Sequence, residues 1–497
     1  MSDQHISLRA RNCLPLEPGV ILLALPFMLV GATLFLNGAR GDLWLDEIWS
    51  LNLIEPVQSF GDIIWSINHD NNHVLNSMYL YLVGADSSPI ALRGLSIVFG
   101  VISIAVAGLV LVGSSGIGAM IGMTFFAVSY PVVHYASEAR GYSGVILFSL
   151  LSLLFLQREF EQPSALRRQA FSVCLALGVL CHLSMLFAAT AFGLWTLWVL
   201  WRTEVGWRTW LFRSFVTLLP AVCWTSAAAL SVGYNALRYG IVEGVRSDPL
   251  KFTIGGINPF SYDGFVDAYG TLIRLLAGVP ADVPPWLCLI AAATLMAVVA
   301  FLWRERPDPK FSLYVISTIV LPVVVLAANP VNSNLPRYFL FSGVMFLLFM
   351  ADLAGFAWQK KGAVRTVAAV AVFATVTGNA ISLSHFFTDR RGHYSQVVAE
   401  MGKTGRVLYS SDQDFRTPTV VDYFAKRLGI QAMYLQWSNR CTVRPDWIIV
   451  ENPNNPLLAY RQATLRPAQC AITFERVGSF PFWGLSGRAW VLFRRIN

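Results

Sequence analysis

Apolar runs long enough to cross a bilayer recur along this chain, separated by short polar stretches. The first, from Gly19 to Gly38, is about 20 residues, enough as a helix for roughly 30 Å of hydrocarbon. Others follow at 89–112, 118–135, 142–157, 170–184, 185–201, 212–232, 284–303, 311–328, 338–356 and 366–384. The pattern predicts about 11 transmembrane helices, an odd number that puts the C-terminus outside if the N-terminus is cytoplasmic. Residues 1–18 are polar, with Arg9 and Arg11, and carry no evident cleavable signal. In the first outer loop (39–88), the apolar stretch from His73 to Ala85 is only about 13 residues, too short to span. It predicts an outer-face juxtamembrane helix beside a second one that carries Asp46 and Glu47. A larger outer loop, 233–283, sets Tyr234, Phe252, Phe260, Tyr262 and Phe265 among Gly, Asp and Arg. That composition suits a mobile lid or a structured plug equally, because aromatic residues are ordinary interface anchors.

From His385 the hydropathy collapses. Strand-like runs at Arg406–Ser411, Trp447–Val450, Ile472–Val477 and Ala489–Phe493 alternate with helical ones such as Thr419–Leu428. They predict a soluble α/β domain over 385–497, following a transmembrane domain over 1–384. Fifteen Lys and Arg stand against eight acids from Asp389 to Arg495, which fits a basic face toward anionic head groups or a solvated surface.

Composition narrows the class. With 497 residues, 55% hydrophobic and 13% charged, and a mean hydropathy of +0.54, the chain is too apolar for a soluble enzyme and too long for a single span. The net charge of +8 is not a nucleic-acid footprint, because the basic residues are spread through short loops rather than gathered on one face. Inner loops carry Arg9, Arg11, Arg158, Arg167, Arg168, Arg202, Arg208, Arg213, Arg304, Arg306, Lys310, Lys360, Lys361 and Arg365; the short outer ones hold only Arg40, Arg93, Arg140 and Arg337. That bias orients a multi-pass protein of the bacterial inner membrane with its N-terminus inside and its C-terminal domain periplasmic. Cys174, Cys181, Cys223 and Cys288 fall in spans as small apolar groups. Cys441 and Cys470 lie in the outer domain, where an oxidising periplasm would let them pair or leave them free. No clustered Cys/His spacing suggests a metal site.

Ionisable side chains beside spans call for individual explanations, and here they gather at the outer ends: Asp46, Glu47, Asp70, His73, Arg93, His134, Glu138, Arg140, His182, Arg337 and Tyr338. Adjacent helical residues point about 100° apart, so Asp46 and Glu47 divide their roles. Transfer of a sugar from a phosphate leaving group needs one carboxylate to deprotonate the acceptor, and arginines to offset charge on the departing phosphate. The acid pair instead caps an interfacial helix if it carries no chemistry. In Tyr135–Tyr142, the planar fork of Arg140 suits a phosphate, with Glu138 and Tyr142 close by in sequence, unless Glu138 and Arg140 neutralise each other. Arg337 and Tyr338 offer a second such site or an ordinary snorkelling anchor. His73, after Asp70, Asn71 and Asn72, is a ligand, a base, an orienter or a helix cap. His182 reads more as packing or turn than as ligand.

The segments "LWLDEIWSLNLI", "NNHVLNSMYLYL" followed by "ALRGLS", "YASEARGYSGVILF" and "LPRYFLF" together resemble the GT-C superfamily of integral-membrane glycosyltransferases. The resemblance is strongest to the branch of protein O-mannosyltransferases and lipid A aminoarabinose transferases. It covers much of residues 1–157 and the 334–341 region. The resemblance implies a polyprenyl-phosphate-linked sugar donor, inverting transfer on the outer face and, in many members, a C-terminal periplasmic domain. By motif, Asp46 looks like the acceptor-activating carboxylate, Glu47 its orienting partner, and Arg140 with Glu138 part of the donor-phosphate site; His73, Arg93, Tyr142, Arg337 and Tyr338 complete the substrate-binding set. Where the mannosyltransferase branch has His-Pro-Pro, this chain has Asn72-His73-Val74-Leu75-Asn76, so the sugar does not carry over. Some relatives use a divalent cation, and a cation is left open here.

The expectation is a hexosyl- or pentosyltransferase acting on a lipid, glycan or protein acceptor. A carrier or flippase of lipid-linked saccharide would need ionisable residues midway through the bundle and repeated, broken helices, and neither is evident. A non-catalytic envelope-assembly subunit would tolerate loss of both acids.

Overall fold

A computed structural model describes residues 18–67, 69, 71–247, 262–302, 309–328, 335–452, 463–467, 470 and 472–496. Contacts divide the chain into two compact units. One comprises Met1–Phe35, Gln58–Tyr79 and Gly94–Ala380; the other comprises Leu36–Val57, Leu80–Arg93 and Ile381–Asn497.

The first unit is helical, and the chain is a multi-pass membrane protein. Among the described residues, all eleven apolar segments form helix, and seven helices are long and apolar enough to cross a membrane, or eight when the bent pair Gly116–Val128 (α7) and Tyr130–Ala136 (α8) is taken as one span. The remainder of the expected eleven are the 17-residue Ala165–Cys181 (α10) and the shorter apolar stretches Pro285–Phe301 and Pro309–Val324.

The interruptions have local causes. Between α7 and α8 the chain bends by 57°, with Pro131 in the first turn of α8. The bend deprives Tyr130 N–H of a helical acceptor; buried Asn379 supplies one through Oδ1 (2.7 Å) while its Nδ2 donates to Thr375 O (2.9 Å) and Leu276 O (3.2 Å). A single π-turn at Ile316–Val320 coincides with Tyr269 Oη donating to Thr318 O (2.6 Å), the kind of side-chain insertion that widens a helix. Just before it, Tyr314 Oη donates to buried Asp352 (2.5 Å). Asp352 is an acid inside a span that hydropathy alone had not singled out.

Two segments depart from the periodicity. Segment 89–112 is two helices, Pro89–Leu92 (α5) and Gly94–Leu111 (α6), parted at Arg93, which is drawn into an ion pair. The expected loop at 233–283 is partly helix: Trp207–Ser247 (α12) runs past the predicted end, and Tyr262–Leu276 buries Phe265, Tyr269, Leu272 and Ile273. Of the aromatic residues assigned to that loop, Phe252 and Phe260 lie outside the described residues.

The second unit contains the C-terminal domain and parts of the first loop. Its six-stranded sheet has the order β2-β1-β3-β6-β5-β4. Val407–Ser411 (β1) runs parallel to Ala432–Leu435 (β2) and Trp447–Asn452 (β3). Thr464–Leu465 (β4), Phe474–Phe480 (β5) and Ala489–Arg495 (β6) complete the sheet through antiparallel pairs. The β1-to-β2 crossover is the helix Arg416–Leu428, which buries Thr417, Val420, Val421, Phe424 and Ala425 and ends at left-handed Gly429 (φ 66°). Ile448, Val450, Ile472, Phe474, Val491 and Phe493 form a core under the sheet. Cys441 and Cys470 are joined as a disulfide.

Candidate functional site

The predicted site residues fall into two groups, one in each unit. In the second unit Trp44 is extended (φ −99°, ψ 172°) and the helix Leu45–Ile54 (α2) follows. Asp46 and Glu47 therefore sit in the first turn, where the helix dipole favours negative charge. Glu47 is fully buried. Its Oε2 accepts Trp44 N–H (3.2 Å), the return limb of a capping box, and its carboxylate takes Arg93 Nε and Nη2 at 2.7 and 2.6 Å.

Arg93 is equally buried, and each of its five N–H donors has an acceptor: the remaining three go to the carbonyls of Ala39 (2.9 Å), Gly41 (2.7 Å) and Asp42 (2.9 Å). The sequence placed Arg93 among the substrate-binding residues. With every donor committed, it instead gathers the turn before α2 and fixes Glu47. Asp46, one helical step round, is half-buried; its carbonyl accepts Ser50 Oγ (2.9 Å).

The other group is built by the segment before Val74–Val83 (α4), the turn between α8 and Tyr142–Glu161 (α9), the turn after α10, and the 3₁₀ turn Pro336–Phe339. Asn72 anchors the first segment by donating to Ile63 O (2.7 Å) and accepting Ser77 Oγ (2.9 Å). Asn76 Nδ2 donates to Ala139 O (2.8 Å), tying α4 to the next turn. His73 Nδ1 accepts Gly141 N–H (3.0 Å). Arg140 Nη2 donates to Asn71 Oδ1 (2.6 Å) and lies 3.3 Å from His73 Nε2. Gly141 is required here: a Cβ would overlap Cys181 O and come within 2.7 Å of His73 Nδ1. Asp70 lies outside the described residues.

Glu138 is buried between His134 Nε2 (3.6 Å) and Arg140 Nη1 (3.8 Å). The guanidinium stacks over the Tyr142 ring at 4.9 Å; the ring is buried, which makes Tyr142 a platform for Arg140. Half-buried Arg337 stands 5.7 Å over the Tyr338 ring.

His182, expected to be packing or turn, joins this group. Its ring lies 4.9 Å from His73, 4.8 Å from Tyr142 and 6.0 Å from Tyr338, and its Nδ1 accepts Ser184 N–H (3.0 Å). Asn71 is the other member the sequence reading left unassigned. The only signal for either was polarity at a helix end. Burial, and then the charges of Arg140, His182 and Arg337, hold His73 well below its ordinary value of 6.5.

Among the described residues, no group of three or more His, Cys, Asp or Glu is arranged to hold a metal ion.

No family model matches the chain, and no curated protein matches it in sequence. Among solved structures it is similar to the archaeal oligosaccharyltransferase AglB from Archaeoglobus fulgidus, in complex with an inhibitory peptide and a dolichol-phosphate. That match has 9% identity and a TM-score of 0.45 over 86% of this chain and 69% of that one. It is also similar to ArnT from Cupriavidus metallidurans bound to undecaprenyl phosphate, with 13% identity and a TM-score of 0.36 over 96% and 98% of the two chains.

The geometry makes two predictions. Arg93→Met strands the Glu47 carboxylate in the interior and costs about 3–5 kcal/mol, and Glu47→Leu with Arg93→Met recovers only the part due to the stranded charge, because the Trp44 amide and the three carbonyls of the turn stay unmet; thermal unfolding in detergent measures both, and a single variant as stable as wild type refutes the buried clamp. The second concerns pH. A histidine whose folded pKa is lowered costs nothing while both states are neutral, above about 6.5, and costs progressively more below it, as only the unfolded chain takes up the proton. Stability therefore falls from pH 7 toward pH 5, and His73→Asn, whose amide still accepts Gly141 N–H, flattens that fall; identical acid slopes would count against a neutral His73.

Proposed function

We propose that the chain is an inverting glycosyltransferase of the bacterial inner membrane that moves a sugar from a polyprenyl-phosphate-linked donor to a periplasmic acceptor. The observation that carries the reading is the Arg140 group. A guanidinium is oriented by the Asn71 side chain, backed by the Tyr142 ring and grouped with a second arginine, beside further hydrogen-bonding groups. That suits a phosphodiester, which has one negative charge and gains another as the sugar leaves. Arg140 and Arg337 hold the phosphate, with Tyr338 and His182 lining the site. Asp46 takes the proton of the attacking hydroxyl, while Glu47 and Arg93 hold its helix. The proton passes from acceptor oxygen to Asp46, the new bond forms at the anomeric carbon as the carbon–phosphate-oxygen bond breaks, and the carrier phosphate departs as the monoester.

The sidedness is supported by the arginine-rich inner loops and by the Cys441–Cys470 disulfide, a feature of oxidising compartments. Membership of the GT-C superfamily, suggested by the "LDE" and "SEARGY" segments, agrees with this chemistry.

The test is purified protein in vesicles with a radiolabelled polyprenyl-phosphate sugar and a mixture of lipid, glycan and peptide acceptors. Label moves from carrier to acceptor, and Arg140→Lys, which loses the planar fork, raises donor KM by about tenfold or more, the worth of a charged hydrogen bond. Label that crosses the bilayer still attached to its carrier would replace this reading with a flippase.

A further inference from the structure

The C-terminal domain is tied to the end of α1 and to the loop that carries Asp46 at four separate places. At the end of Pro18–Gly38 (α1), whose last carbonyls have no partner within the helix, Arg390 donates to Asn37 Oδ1 (3.1 Å) and to Asn37 O, and buried Arg391 donates to Gly38 O (3.3 Å). Both guanidiniums come from a turn in which Arg390 is held at φ 55° and Gly392 at φ 137°. A left-handed arginine is strained, and such strain persists only where the surroundings over-determine it. That turn is itself clamped: the Arg391 carbonyl accepts Tyr394 Oη (2.8 Å) and Arg488 N–H (3.3 Å). Just before the acid helix, Asp42 Oδ2 accepts Ser395 N–H (2.7 Å). Along the acid helix the Trp49 ring meets Phe415 at 5.1 Å. On the far limb of the loop Arg427 donates to Ala85 O (2.8 Å) and Ser87 O (3.3 Å).

We propose that the C-terminal domain is a platform that sets the acid helix, with Asp42 and Phe415 acting as positioning residues for Asp46. A module that merely docked a partner would have no need to cap α1 from about 350 residues further along the chain, or to enter the turn that Arg93 gathers. The segment from Asn37 to Asp42 is thereby held by two sets of guanidiniums, Arg93 and the pair Arg390 and Arg391. The catalytic part of the proposal rests on Asp46 as the base; the structural part does not.

Hydrogen–deuterium exchange on the full-length protein in lipid nanodiscs, read alongside kcat and donor affinity, tests the platform. Asp42→Ala raises exchange of the amides over 39–54 by about tenfold, the worth of a charged hydrogen bond, and lowers kcat by a similar factor with donor affinity unchanged. Asp42→Asn keeps an acceptor for Ser395 N–H and restores both. Phe415→Ala, an exposed substitution that leaves the fold intact, gives a smaller change in the same direction. Unchanged exchange in Asp42→Ala and Phe415→Ala overturns the platform even if wild type transfers sugar. Raised exchange with no transfer by wild type supports the platform and sinks the transferase reading instead.

Discussion

The Glu47–Arg93 pair is the constraint on which the rest depends. A buried ion pair of this kind adds little net stability over well-packed apolar residues; what it adds is direction. The carboxylate and guanidinium together satisfy a helix-start amide and three carbonyls of an irregular turn, in buried or part-buried surroundings where an unpaired polar group costs roughly 1–3 kcal/mol. No apolar substitute meets those groups. The price is that neither side chain is left to touch a substrate, so of two adjacent acids one is consumed in holding the backbone and the other stands half-exposed beside it.

The Arg140 group follows a related logic with a different outcome. Its guanidinium is also oriented by neighbours, here the Asn71 side chain and the Tyr142 ring, with Glu138 at 3.8 Å. An arginine set in this way suits the phosphate proposed for it, whereas the Glu47 carboxylate closes on Arg93 and commits it to the backbone.

Much of this was legible in the sequence. Period and run length predicted the helices because a span must be apolar along its whole length, and alternation marked the C-terminal strands. The ionisable residues that the fold gathers into the two groups stood out because charge is costly beside a span. Other features were hidden because they depend on long-range partners. Nothing near Arg93 in sequence announces Glu47, 46 positions earlier, or three carbonyl acceptors. His182 enters the Arg140 group only once the turn after α10 is folded, and Asn379 becomes a cap only where a distant helix breaks. The association of residues 36–57 with the C-terminal domain is a tertiary fact that no hydropathy plot contains.

The most direct test of the central claim is single-turnover sugar transfer by Asp46→Asn, with the affinity for the polyprenyl-phosphate sugar measured on the same preparation. The account predicts affinity within about twofold of wild type and transfer slower by about two to four orders of magnitude, the usual worth of a general base. Transfer at the wild-type rate, or loss of affinity in step with rate, would contradict it.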